Sequence, residues 1–168
     1  MEEEKKPIKD DTGGIESMVP AVKILLNQYP GLLPGEEVKF EELEETSGIA
    51  FINNGGAMVY DEDTDVTGSV DQKCQYLFIL IYRMQSSRER QKLIAQQFLD
   101  TFGKWLCREP NVYERGGAPV EYPVLTDGRK IIRLKRDLIS ATDPTDKGVQ
   151  DWMLPVAVEY MNRFEEPF

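Results

Sequence analysis

The reactive side chains of this chain are almost all carboxylates: 30 Asp and Glu stand against 20 Lys and Arg, with no histidine at all. The absence of histidine excludes Ser-His and Cys-His nucleophile pairs and histidine-ligated zinc or iron. Asp61, Asp63 and Asp65 alternate as in a calcium loop. That pattern needs glycine at the sixth position and glutamate at the twelfth, and Val66 and Gln72 stand there instead. The pairs Glu41-Glu42 and Glu44-Glu45 could in principle divide acid and base work, but so acidic a composition produces such neighbours without selection for catalysis. No Gly-x-x-x-x-Gly-Lys-Ser/Thr loop occurs, and the pairs Gly13-Gly14, Gly55-Gly56 and Gly116-Gly117 are expected to have no following helix start that could bind phosphate. Cys74 and Cys107 match no zinc or redox spacing and read as reduced, buried thiols. Trp105 and Trp152 each fall on the apolar side of their own segment, which assigns them to a core. No catalytic, metal or cofactor site emerges, and the expectation is a protein that is not an enzyme and carries no cofactor.

A net charge of −10 repels phosphate backbones. The basic stretch Arg129-Lys130-Ile131-Ile132-Arg133-Leu134-Lys135-Arg136 contains no stacking aromatics, so it reads as a charged strand that balances an acidic protein, without specific nucleic-acid binding. The longest apolar run, residues 76–82, is far below the roughly 20 residues of a membrane-spanning helix. No signal-peptide pattern opens the chain, which points to the cytoplasm and to no membrane partner.

The elements that must position these groups follow from periodicity. Residues 1–14 are charged and poor in apolar side chains, so a mobile tail is expected there, followed by one domain over 15–168. Ile15, Met18, Val22, Leu25, Leu26 and Tyr29 recur at helical spacing and end at Pro30-Gly31. Residues 32–45 are Glu-rich and read either as irregular or as holding an outlying strand around 38–43, and a strand is expected over 48–52. Asn53-Asn54-Gly55-Gly56 then supplies a tight turn before residues 57–60, which predicts a hairpin. Residues 61–65 read as an acidic tip in solvent, and Gly68 as a bulge.

The strongest strand spans residues 73–84. Cys74, Tyr76, Phe78, Leu80, Tyr82 and Met84 share one face and Leu77, Ile79 and Ile81 the other, so the strand is expected to be central and covered on both sides. Ser86 and Glu89 have capping-box spacing before a second helix that runs to about Arg108, with Ile94, Phe98, Phe102 and Trp105 on one stripe and Ala95, Leu99 and Leu106 widening it into a face expected to pack on the sheet. Residues 111–128 form a Gly/Pro-rich excursion, residues 130–139 a strand, and Trp152, Leu154, Val156, Val158 and Tyr160 alternate in a last strand. Pro155 places that strand at an edge or a bulge. The fold class is α+β, an antiparallel-dominated or mixed sheet with two helices packed on one face.

The block Asp65-Val66-Thr67-Gly68-Ser69-Val70, running into Lys73-Cys74-Gln75-Tyr76-Leu77-Phe78-Ile79-Leu80-Ile81-Tyr82-Arg83 and a helix with Phe98, Phe102 and Trp105-Leu106, resembles the minor capsid and tail-terminator (neck) proteins of phages and prophages of Gram-positive bacteria. The closing Val156-Ala157-Val158-Glu159-Tyr160-Met161-Asn162-Arg163-Phe164-Glu165 and the Asn27-Gln28-Tyr29-Pro30 end of helix one suit the same layout. The resemblance implies a small α+β subunit closing into a ring with itself, typically of six, at the head-proximal end of the tail. Its partners would be tail-tube and head-connector proteins, its place the virion after assembly in the bacterial cytoplasm, and DNA would pass through its lumen. Protruding connections suit such contacts, so Asn54, Gly55, Asp61, Asp63, Asp65 and Val66 in the 53–71 region and Tyr113 and Arg115 in the 111–128 loop are the expected assembly contacts. The alternative from charge alone is an acidic module that binds a basic protein or mimics nucleic acid, using residues 36–45 and 61–65.

Overall fold

The computed structural model describes residues 6–109 and 120–165. The elements run β1 (Lys9–Asp10), α1 (Gly14–Leu26), β2 (Val38–Phe40), β3 (Gly48–Thr64), β4 (Ser69–Gln85), α2 (Glu89–Leu106), β5 (Arg129–Arg136), β6 (Ser140–Ala141) and β7 (Val149–Glu165). All seven strands join one sheet, ordered β1-β3-β4-β7-β5, with β2 on the margin of β3 and β6 on that of β7. Every pairing is antiparallel except the three-residue β2–β3 pair. This is the expected α+β fold, mixed only at that margin.

Three strands of 17 residues, β3, β4 and β7, form the body. At about 3.3 Å per residue each is roughly 55 Å long. Period-2 alternation sends Tyr76, Phe78 and Leu80 of β4 and Leu154, Val158 and Tyr160 of β7 into one core, where each is almost wholly buried. Both helices add to that same core: α1 through Met18, Val22, Leu25 and Leu26, and α2 through Ala95, Leu99, Phe102, Trp105 and Leu106. Tyr29, just past α1, stacks on Phe102 at 4.1 Å between ring centres and contacts Phe98 and Trp105, so an aromatic cluster locks the two helices together. Gly14 opens α1 where a β-carbon would come within 2.7 Å of Ala57 and Asp11 and 2.8 Å of Tyr160, so only glycine lets the helix approach the sheet this closely.

Several expectations change. A helix start does follow Gly13-Gly14, since α1 opens at Gly14. The hairpin around residues 53–56 does not form, because β3 continues through it: Asn53 pairs with Phe78 and Gly56 with Leu77, leaving Asn54 and Gly55 as an insertion in the ladder. Gly55 and Gly56, at φ 96° and 76°, let the strand bulge without reversing, and the Tyr76 hydroxyl donates to Asn53 Oδ1. The reversal comes at residues 65–69, a type I-like turn in which Gly68 N–H donates to the Asp65 carbonyl. Asp65 N–H also donates to the Ser69 carbonyl, so Asp65 opposes both Gly68 and Ser69, and Gly68, at φ 88°, is the glycine bulge expected there, set at the end of the turn.

Ser86 does not cap α2. Its hydroxyl is buried and accepts from Trp152 Nε1 at 3.2 Å, while Gln91 Oε1 accepts from Arg88 N–H at the helix start. Ile94 is 48 % exposed rather than core, since Ala95, Leu99 and Phe102 take the face toward the sheet. Pro155 sits at neither edge nor bulge. The Pro155 carbonyl accepts from Asp137 N–H, so the missing amide hydrogen faces the gap between β5 and β6, where no ladder bond is lost.

Residues 8–13, read from composition as part of a mobile tail, are instead held. Lys9–Asp10 pair with Met58 and Val59. Asp11 is buried and accepts a fork of bonds from Arg129, Nε to Oδ2 at 3.0 Å and Nη2 to Oδ1 at 2.8 Å, while the Tyr160 hydroxyl donates to Oδ2 at 2.5 Å. A buried pair with such geometry satisfies the charge that composition alone suggested would stay in water.

Candidate functional site

Both helices lie on one side of the sheet, so the other side is bare among the described residues. Cross-strand pairs identify what it presents: Ile79 is flanked by Ile52 and Pro155, Leu77 by Gly56 and Ala157, and Ile81 by Ala50 and Met153. Antiparallel sheets with one solvated face normally make it polar. Here Ile52, Met58, Leu77, Ile79, Met153, Pro155 and Ala157 remain half-exposed, while Ala50 and Ile81 at one end are buried. The expectation that β4 is covered on both sides therefore fails for Leu77 and Ile79.

Charged pairs frame this apolar strip. At one end Arg83 forks onto Asp151, Nε to Oδ1 at 2.7 Å and Nη2 to Oδ2 at 3.0 Å. At the other, Arg163 forks onto Asp71, at 2.6 Å and 3.1 Å. Along the β5 side Glu159 accepts from both Arg133 and Lys135. Burial alone would raise the Glu159 carboxyl, but the bonds and charges of those two cations hold it below the usual range. A groove of about 540 Å³ crosses the strands here, with Tyr60, Lys73, Gln75, Ile132, Arg133 and Met161 among its walls.

The basic stretch in β5 does balance acidic neighbours. Arg129 pairs with Asp11 and Asp127, Arg136 with Asp100 and Glu109, and Arg133 and Lys135 share Glu159. Lys130 is exposed and makes no ion pair among the described residues.

Residues 60–73 form an arm, the end of the sheet that carries the β3–β4 turn, where β7 stays paired to β4 as far as Ser69 opposite Glu165. It carries Asp61, Glu62, Asp63, Asp65 and Asp71 against Lys73, and Val66 at its tip is fully exposed. Asp65 Oδ1 accepts from Thr67 N–H at 2.8 Å, Thr67 Oγ1 at 2.6 Å and Ser69 N–H at 3.1 Å, which fixes the turn. The Thr67 hydroxyl and amide bonds hold this carboxyl below its ordinary range.

The expected contact residues are thus spread along one element. Asn54 and Gly55 lie at the bulge, where Asn54 borders a shallow depression with Leu77, Pro155 and Ala157. Asp61, Asp63, Asp65 and Val66 lie in the arm, roughly 20–35 Å further along by strand rise. Tyr113 and Arg115 lie outside the described residues. The remainder of their loop is anchored: Arg108 donates to the Val120 carbonyl at 2.8 Å and lies 3.9 Å over the Tyr122 ring, and Gln28 exchanges two bonds with Glu121. Sequence reasoning missed the bare apolar strip. The signal was available, because assigning both helices to one face leaves Leu77 and Ile79 with nothing to cover them.

Both cysteines are free thiols. Burial pushes the Cys74 thiol up to about 12 and that of Cys107 up to about 11, so both are protonated and poor nucleophiles at neutral pH. Among the described residues no three Cys, Asp or Glu side chains are grouped to hold a metal ion, and no helix is long and apolar enough to cross a membrane. No model of a known protein family matches the chain, and no curated protein is found similar to it in sequence.

Proposed function

We propose that this protein is a structural subunit of a phage head–tail junction, one that caps the tail tube and joins it to the head as a ring built from copies of itself. The observation that carries the reading is the half-exposed apolar strip of Ile52, Leu77, Ile79, Met153 and Pro155 on a sheet face that no helix among the described residues covers. Leaving such a strip in water costs about 25 cal/mol for each Å² of apolar surface, and association removes that cost. A long sheet ending in an exposed acidic turn suits a subunit whose work is contact, and the resemblance to neck proteins supplies the setting. The lumen of such a ring, lined by an acidic protein, repels DNA and lets it pass.

Two measurements test this. Native mass spectrometry of the purified chain is expected to show a closed oligomer, whereas a stable monomer that captures a basic protein favours the acidic-module reading. Deleting the gene in a producing phage is expected to leave tails of uncontrolled length without heads, and tails of normal length on joined heads would sink the proposal.

A further inference from the structure

The structure places opposite charges on opposite flanks of the sheet. The acidic arm belongs to β3 and β4, whereas β5 ends the strand order on the other side, with one margin paired to β7 and the other paired to no strand among the described residues. That strand is basic and, on the bare side, exposes Lys130, Arg133 and Lys135 together with Ile132, which is 48 % exposed. In the arm, Asp61 and Asp63 are exposed, and Asp63 makes no ion pair among the described residues. Glu159 is one carboxylate shared by two cations, so that edge keeps a positive excess even with its internal pairs made.

We infer that the acidic arm of one copy docks on the β5 edge of the next, with Asp61 and Asp63 against Lys130, Arg133 and Lys135, and Val66 reaching the apolar surface of Ile132. This rests on the assembly reading above and specifies its contact. Three features favour a second copy as the occupant. A net charge of −10 makes copies repel over most of their surfaces, so the basic edge is where another acidic chain is admitted. The unpaired margin of β5 offers backbone donors and acceptors to an extended partner, and the arm is extended. The outer margins of β3 and β5 lie toward the two ends of the strand order, so a contact between them repeats head to tail as a ring requires, although within one chain Asp61 already lines a groove with Ile132 and Arg133.

Charge reversal tests the inference. One variant carries Asp61→Lys and Asp63→Lys in the arm, the other Lys130→Glu and Lys135→Glu in the edge, and circular dichroism checks that each is folded. Sedimentation at low salt is expected to show wild-type oligomers that dissociate as salt rises toward about 0.5 M, where screening acts within a few ångströms. Each variant alone is expected to associate at least tenfold more weakly. An equimolar mixture is expected to restore oligomers, because a basic arm then meets an acidic edge and an acidic arm a basic one. As a second readout that does not rely on those variants, a chain carrying Asp63→Cys and Lys130→Cys is expected to form a disulfide-linked ladder on oxidation. If wild type associates and neither reversal weakens it, or if no ladder forms, this contact is wrong while the assembly reading stands. If wild type is monomeric at every concentration, the assembly reading fails and this inference fails with it.

Discussion

The two faces of the sheet are built from the same strands by the same alternation, yet Phe78 and Leu80 are fully buried while the alternating Leu77 and Ile79 are only half so. The difference lies in what covers each face. Two helices and an aromatic cluster close the first face, and within the described chain nothing closes the second. Apolar side chains on a strand therefore do not by themselves mark a core. They mark a surface that must meet something, and whether that is the same chain or another depends on how many helices there are to share.

The sharpest way to break the comparison is to truncate one residue on each face. Phe78→Ala on the covered face is expected to cost about 3–5 kcal/mol, the range for an aromatic side chain removed from a packed interior, read as a lower midpoint in urea unfolding. Asp11→Ala, at the far end of the same face, leaves Arg129 buried without its main counter-charge and is expected to cost about 3 kcal/mol or more. The Arg129 pair also ties β1 to the sheet, so hydrogen exchange at residues 8–11 is expected to accelerate in that variant.

Titration separates the faces next. Cys74 and Tyr160 both lie on the covered face, and burial raises both above their ordinary values, Cys74 to about 12. A raised acid stabilises the folded state fully below its unfolded value near pH 9. That contribution is lost as pH climbs toward 12, because the unfolded chain releases its proton first. The melting temperature is therefore expected to fall between pH 9 and 12, and Cys74→Ala to flatten the decline. The smallest effect on the monomer belongs to the bare face. Ile79→Ser is expected to shift stability by less than about 1 kcal/mol while weakening self-association in sedimentation, the reverse of what Phe78→Ala does. Equal losses of stability from both substitutions would show that the two faces do not differ.

Much of the fold was legible because its signals are local. The alternation of Trp152, Leu154, Val156, Val158 and Tyr160 identifies β7, and the helical spacing of Met18, Val22 and Leu25 identifies α1. What misled was local chemistry with two tertiary outcomes. Asn53-Asn54-Gly55-Gly56 suits a tight turn or a bulge equally, and the ladder with β4 on either side selects the bulge. Ser86 has the spacing of a cap, but Trp152 reaches its hydroxyl from a strand 66 residues away. Of the candidate contacts, the arm residues were legible as an acidic tip. The strip of Ile52, Ile79 and Pro155 was not, because it comes from three strands distant in sequence and exists only in their register.

By itself the sequence determined the α+β class, the central place of β4, the absence of histidine chemistry and an acidic surface, since each depends on residue type or on periodicity within one segment. Only the tertiary structure decided that the 48–64 stretch is one strand, that Asp11 leaves water to meet Arg129, and that among the described residues one face of the sheet stays bare. Those outcomes depend on which segments reach each other, and the free energy that decides them is shared between groups no local window contains.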